Sequence, residues 1–281
     1  MKPISYFLLS LALTAGVAQA QSYVVKGNGV VLNIDQRGDV YDRGQFILPF
    51  QMRYSGGQFY VNKDRQLVTV DESGFYYRHD VHSMEAPKEV QYSGFNFFVE
   101  KSGEPWMIDR QGAVYKGEKN KALKKPIKKG GNFVIVEGER RQPPRLFVVT
   151  DRGNLIESLV EGLDLATINE VGGNWMVTAD GVLYTISRDG FVFSKRDLIR
   201  RILAPEARGG NFLVSGGRLM VVADDGVVSE RGLIDSYGKI AKTGYNYFVT
   251  QDGKLITISA TGDVQDRTGS HDFKNVALST F

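Results

Sequence analysis

Residues 172–192 read Gly172-Gly173-Asn174-Trp175-Met176-Val177-Thr178-Ala179-Asp180-Gly181-Val182-Leu183-Tyr184-Thr185-Ile186-Ser187-Arg188-Asp189-Gly190-Phe191-Val192. Trp175 and Val177 are two residues apart, so on a strand they share one face. Asp180-Gly181 is a favoured two-residue hairpin pair, with positive φ expected at both positions. Leu183–Ile186 is an apolar, β-rich second strand, and Ser187–Gly190 is a turn closed by glycine. Val192, two past that glycine, opens a third strand.

The same order recurs along the chain. The closing turns are Asp35–Gly38, Asp71–Gly74, Asp109–Gly112, Thr150–Gly153, Ser187–Gly190, Ala223–Gly226 and Ser259–Gly262. Their glycines lie 36, 38, 41, 37, 36 and 36 residues apart. An aromatic precedes each turn: Tyr23, Phe59, Phe97, Phe133, Trp175, Phe212 and Tyr247. A β-branched partner follows each by two: Val25, Val61, Val99, Ile135, Val177, Val214 and Val249. Asn96, Asn132, Asn174, Asn211 and Asn246 stand just before the aromatic, with Gln58 replacing Asn in the second unit. Six residues earlier comes an apolar residue (Met52, Val90, Ile168, Ile240) or a proline (Pro126, Pro205). That lead segment reads as a fourth strand, and its prolines suit an outermost edge. Four short strands in a fixed period predict an all-β, seven-bladed β-propeller.

The ends support a closed ring. Ser22-Tyr23-Val24-Val25 enters directly at the aromatic strand, without a lead segment. Lys274-Asn275-Val276-Ala277-Leu278-Ser279-Thr280-Phe281 is similar to the lead segment Lys88–Phe95, with Val276 in the place of Val90. The C-terminal strand is therefore expected to close the first blade, which leaves no open end to cap.

Residues 1–20 read as a signal peptide. Lys2 is followed by an apolar run from Tyr6 to Val17, and Ala18-Gln19-Ala20 supplies small residues for cleavage before Gln21. The run is short for about 30 Å of hydrocarbon. Residues 21–281 are then one exported domain, periplasmic or secreted, in bacterial style. Cysteine is absent, so no disulfide holds the fold. The net charge of +3 is too small to imply a polyanionic partner by itself.

The pattern of Gly-Asn-aromatic, hairpin and Asp-x-x-Gly-x-apolar resembles bacterial extracytoplasmic β-propeller repeats, over Ser22 to Phe281. It departs from the WD-repeat pattern, since Trp106 and Trp175 are each followed by Met. The resemblance implies the fold. It carries no active site with it, because propellers serve many functions.

The candidate functional residues fall into few groups. One aromatic per blade reads as inter-blade core rather than a sugar-stacking surface. The turn carboxylates Asp35, Asp71 and Asp109 read as turn caps rather than calcium ligands, because the other turns begin with Thr, Ser or Ala. His79-Asp80-Val81-His82, with His271-Asp272, is the only histidine cluster and matches no zinc spacing, so His79 and His82 are weak metal candidates. No Cys nucleophile and no Gly-x-Ser-x-Gly elbow exists.

The basic residues carry the main functional signal. Lys116, Lys119, Lys121, Lys124, Lys125, Lys128 and Lys129 lie between the third and fourth blades. Arg140, Arg141 and Arg145 lie in an insertion around Pro143-Pro144. Elaboration of one loop in a regular repeat marks a working surface. Lys195, Arg196, Arg200 and Arg201 form a second, amphipathic cluster. The expected function is a non-enzymatic scaffold that binds a protein or an anionic envelope glycan through loops on one face. Neither a cofactor nor a nucleic-acid partner is expected. The alternative is a hydrolase or lyase with its site in the central funnel.

Overall fold

The structure is a computed structural model that describes residues 22–48, 51–79, 87, 89–139, 142–195, 202, 204–270, 273 and 276–279. The signal-peptide reading of residues 1–20 falls outside these, as do His82, Arg140, Arg141 and most of the second basic cluster. No helix among the described residues is long and apolar enough to cross a membrane.

The described chain is a seven-bladed β-propeller of seven antiparallel, four-stranded sheets. The fifth blade represents the set: Ile168–Val171, Trp175–Thr178, Leu183–Ile186 and Val192–Ser194, paired in chain order. Lead strands start at Met52, Val90, Pro126, Ile168 and Ile240, the positions marked in the sequence. The sixth is reduced to Ala207–Arg208, two residues after Pro205.

Seven hydrophobic clusters lie between neighbouring blades. Each contains one repeat aromatic and its β-branched partner, as in Trp175 with Val177 against Leu213, Met220 and Val222. All seven aromatics are at most 1% exposed. They are the wedge between sheets, and their rings are not presented to a ligand.

The hairpin turns differ from the two-residue form expected. Only the glycine takes positive φ, +84° at Gly181 and +86° at Gly253, while Asp180 and Asp252 do not. Gly181 N donates to Thr178 O at 2.9 Å, and Thr178 N to Val182 O at 3.0 Å. This is a three-residue loop with a left-handed glycine, which lets an ordinary residue occupy the other positions. The repeat-closing turns share the geometry: Gly38 N donates to Asp35 O, and Asp35 N to Asp39 O. Asp35 Oδ1 also accepts from the amides of Arg37 and Asp39, and Asp71 and Asp109 act identically. Their second oxygens take phenols six residues on, from Tyr41, Tyr77 and Tyr115. Tyrosine stands there only where the turn begins with Asp.

Blades are stitched by polar contacts too. Thr69, Thr185 and Thr257 donate to the carbonyls of Gly112, Gly226 and Gly38 in the next blade, at 2.7–2.8 Å. Backbone bonds link the second residues of the closing turns: Glu72 to Arg110, Arg110 to Asp151, Asp151 to Arg188, Arg188 to Asp224, Asp224 to Ala260, and Ala260 to Gln36.

The ring closes as expected. Val276–Ser279 pairs antiparallel with Ser22–Lys26, with Lys26 opposite Val276 as Glu100 is opposite Val90. Phe273 and Val276 join Tyr247 and Val249 of the last blade to Val24, Leu32 and Ile34 of the first.

One placement in the sequence reading is corrected. The lead segment is an edge strand, but its edge faces the axis. Its last residues in six blades, Ser55, Ser93, Lys129, Val171, Arg208 and Thr243, line the axial cavity. The strand after the closing turn takes the other edge. Proline at Pro126 marks an edge without saying which one, because either edge leaves the missing donor unneeded.

His79 ends the last strand of the second blade. Its Nε2 lies 2.7 Å from Thr69 Oγ1, whose own proton goes to Gly112 O at 2.7 Å. The hydroxyl therefore accepts from the imidazole, and the neutral ring carries its proton on Nε2. Burial lowers the His79 pKa below the ordinary 6.5. The unfolded chain then takes up this proton at higher pH than the folded one. The contribution is complete above pH 6.5 and is lost as pH falls below it, towards the folded pKa. Thermal melts of the parent are expected to weaken below about pH 6.5. His79→Gln, which keeps a donor at that point, is expected to flatten the profile. An unchanged slope would contradict this assignment.

Candidate functional site: the axial cavity

The turns that join lead strand to aromatic strand meet at the axis. Gln58 N donates to Phe95 O at 2.9 Å, Gly131 N to Gly173 O at 2.9 Å and Gly173 N to Gly210 O at 2.7 Å. Phe95 N bonds to Gly131 O, and Asn211 N to Tyr245 O at 2.9 Å. In four blades the turn is a double glycine: Gly56-Gly57, Gly130-Gly131, Gly172-Gly173 and Gly209-Gly210. In two, an aromatic replaces the second glycine, giving Gly94-Phe95 and Gly244-Tyr245.

Those two rings stack on each other across the ring of blades, with centroids 3.8 Å apart and planes at 29°. They are 6% and 4% exposed and form a small cluster of their own. A Cβ on Gly57 would lie 1.6 Å from the Phe95 ring. A Cβ on Gly131, Gly173 or Gly210 would lie 2.6, 2.2 or 2.1 Å from the Tyr245 ring. Four bare glycines thus house two aromatics, and the pair seals the axis. The signal was present in the sequence as two breaks in the double-glycine pattern.

On one side of the seal is a cavity of about 520 Å³. Its described lining is glycine backbone, the residues Ser55, Ser93, Val171 and Thr243, the two aromatics, Lys129 and Arg208. Histidine and carboxylate residues are absent from that described lining. Most floor amides are already spent, since the first-glycine N–H in six blades bonds to the aromatic residue's carbonyl in its own blade. Polar recognition from this end falls to hydroxyls and the two cations. Arg208 forms an ion pair with Glu170. Lys129 has no ion pair among the described residues, and its side chain is exposed.

The structure divides the predicted basic residues. Lys121 and Lys124 bound a short 3₁₀ turn, which Asn120 caps by accepting from Ala122 N at 3.0 Å. Ala122 and Leu123 of this turn anchor it in the core between the third and fourth blades. Lys125 pairs with Glu137 at 2.9 Å, at the hairpin end of the lead strand Pro126–Lys129. Lys128 Nζ donates to Asn169 O of the next blade at 2.9 Å. Lys129, at the far end of that strand, is the one member among the described residues that reaches the cavity. Arg145 Nε donates to Glu157 Oε1 at 2.6 Å, and its guanidinium lies 5.0 Å over Phe147. That pairing holds the Glu157 carboxyl below its ordinary range. His79 lies in a strand outside the cavity lining.

No family model matches the chain, and no curated protein matches it in sequence. Among solved structures the chain is similar to virginiamycin B lyase from Staphylococcus aureus, at 11% identity and TM-score 0.35, covering 89% of this chain and 94% of that one. It is similar to PorZ, a surface component of the type-IX secretion system of Porphyromonas gingivalis, at 11% identity and TM-score 0.39, covering 90% of this chain and 40% of that one. It is also similar to BamB from Moraxella catarrhalis, at 11% identity and TM-score 0.30, covering 89% and 88%. These are bacterial β-propeller proteins. At such identities the likeness concerns architecture and carries nothing about activity.

Proposed function

We propose that this protein is an exported, non-enzymatic binding scaffold of the bacterial envelope, its mature part beginning at Gln21. It holds an anionic group of a protein or envelope polymer at the cavity end of the propeller. The observation that carries the reading is the cavity lining. A sizeable opening is bordered by an unpaired lysine, an arginine and hydroxyls, with no carboxylate or histidine among its described residues. Such a lining attracts an anion and offers little for general acid–base chemistry. The signal-like N-terminus supports export, and the exposed Lys121, Lys124 and Lys125 offer a secondary contact for a long polyanion.

The test is affinity capture from envelope extract with the tagged mature protein, at low and high salt, identifying retained proteins and glycans. Lys129→Glu is expected to reduce capture at least tenfold, because it converts attraction to repulsion at the cavity mouth. Lys121→Glu with Lys124→Glu is expected to have a smaller effect that high salt removes. Equal capture by the parent and Lys129→Glu would overturn the reading, as would turnover of an envelope-derived substrate by the purified protein.

A further inference from the structure

Behind the Phe95–Tyr245 seal lies a second, much smaller chamber of about 40 Å³. Asn96, Asn132 and Asn174 reach it from the turns before the aromatic strands, and Asp151 and Asp224 from the closing turns. One oxygen of each of these five residues is buried without a hydrogen-bond partner: Asn96 Oδ1, Asn132 Oδ1, Asn174 Oδ1, Asp151 Oδ1 and Asp224 Oδ2. Four of the residues are deeply placed, with Asn174 2%, Asn96 5%, Asn132 8% and Asp224 9% exposed, and Asp151 is half-buried. Two amide orientations are set by their surroundings. Asn96 Nδ2 donates to Thr150 O at 3.4 Å, and Asn174 Nδ2 to Ala223 O at 3.3 Å, leaving the oxygens over.

Every orphan in this set is an acceptor. Buried acceptors without partners each cost about 1–3 kcal/mol, so native proteins supply something to meet them. Arg110 and Arg188 also line the chamber, but each has a carboxylate that does not line it: Glu72 at 3.9 Å and Asp189 at 3.8 Å. Both arginines also act on the inward carboxylates, but two guanidiniums then serve four carboxylates, Glu72, Asp151, Asp189 and Asp224, so the inward pair is only partly neutralised.

We infer that the chamber is a binding site for one hard divalent cation, held by amide and carboxylate oxygens from five turns. A cation meets both needs at once: it satisfies several acceptors and neutralises the carboxylate pair, whereas water does only the first. All-oxygen donors select a hard ion. Calcium is favoured over magnesium, because calcium accepts many protein oxygens in irregular geometry and magnesium retains its waters. No trio of His, Cys, Asp or Glu suited to a metal exists among the described residues, so this site is amide-rich. It is distinct from the first positions of the closing turns, whose carboxylates are spent on turn amides. The ion joins three consecutive blade junctions and acts as an axial fastener.

The test uses the mature full chain, stripped with chelator and then dialysed against calcium chloride or magnesium chloride at fixed ionic strength. Elemental analysis is expected to find about one calcium per chain, and calcium at high occupancy is expected to raise the Tm by about 5 °C or more. Asp224→Asn and, separately, Asp151→Asn are expected to lose the ion, while Asp189→Asn keeps it. If either variant fails to fold, the parent titration still decides. A parent that retains no divalent ion and melts identically with and without calcium would overturn the inference. So would stoichiometric binding that survives in both Asp224→Asn and Asp151→Asn.

Discussion

Removing residues 273–281 is expected to lower the melting temperature by roughly 10–20 °C, the larger of the stability effects foreseen here. Phe273 is fully buried in the cluster that joins the last blade to the first, together with Val276. Loss of one such aromatic alone costs about 3–5 kcal/mol, a large part of the 5–15 kcal/mol typical of a native domain. The truncation also strips Val276–Ser279 from Ser22–Lys26 and opens the first blade's edge to solvent. Some stitching would remain, since Thr257 still donates to Gly38 and Ala260 to Gln36. A partly structured, aggregation-prone ring is therefore the expected product rather than a fully unfolded chain. Phe273→Ala is the gentler companion, with an expected fall of about half that size. A truncated chain melting within about 2 °C of the parent would show that the strand does not hold the ring shut.

Gly57→Ala is expected to cost about 3 kcal/mol or more, at the top of the range for overpacking. The added Cβ would stand 1.6, 2.1 and 2.7 Å from three atoms of the Phe95 ring. The ring has nowhere to go, because it stacks at 3.8 Å on Tyr245. Tyr245 in turn covers Gly131, Gly173 and Gly210. In a Phe95→Ala background the same substitution is expected to be close to neutral, a coupling of about 3 kcal/mol, at the top of the range for residues in contact. Denaturant melts of the four chains measure it. Additive losses would mean that Gly57 is demanded by the backbone and not by the seal.

Much of this architecture was legible because the information is local. A glycine needed at the end of each closing turn, an aromatic two before a β-branched residue, and an Asp or Ser capping the turn are decided within about ten residues. Their recurrence gave the blade count, and the echo of Val90 in Val276 gave the closure. The hairpin form was misjudged because Asp-Gly suits two loop geometries, and the strand register chose the one in which only glycine is left-handed. The lead strand was assigned to the wrong edge because proline reports an edge and carries no information about the axis.

The candidate sites were less legible. The lysines adjacent in sequence were separated by the length of one strand, so that Lys129 lines the cavity while Lys125 pairs with Glu137 near the hairpin. Phe95 and Tyr245 lie 150 residues apart in sequence and form the seal together. The orphan oxygens of the inner chamber come from four separate repeats, and none stands out in its own.

The sequence by itself determined the repeat, the strand order within a blade, the buried aromatics and the strand that shuts the ring, because short-range periodicity and turn chemistry specify them. Only the tertiary structure decided which edge faces the axis, which rings seal it, and which oxygens and cations gather there. Those are meetings between residues tens to hundreds of positions apart, brought together by the packing of blades around a common axis. No single repeat contains the geometry that unites them.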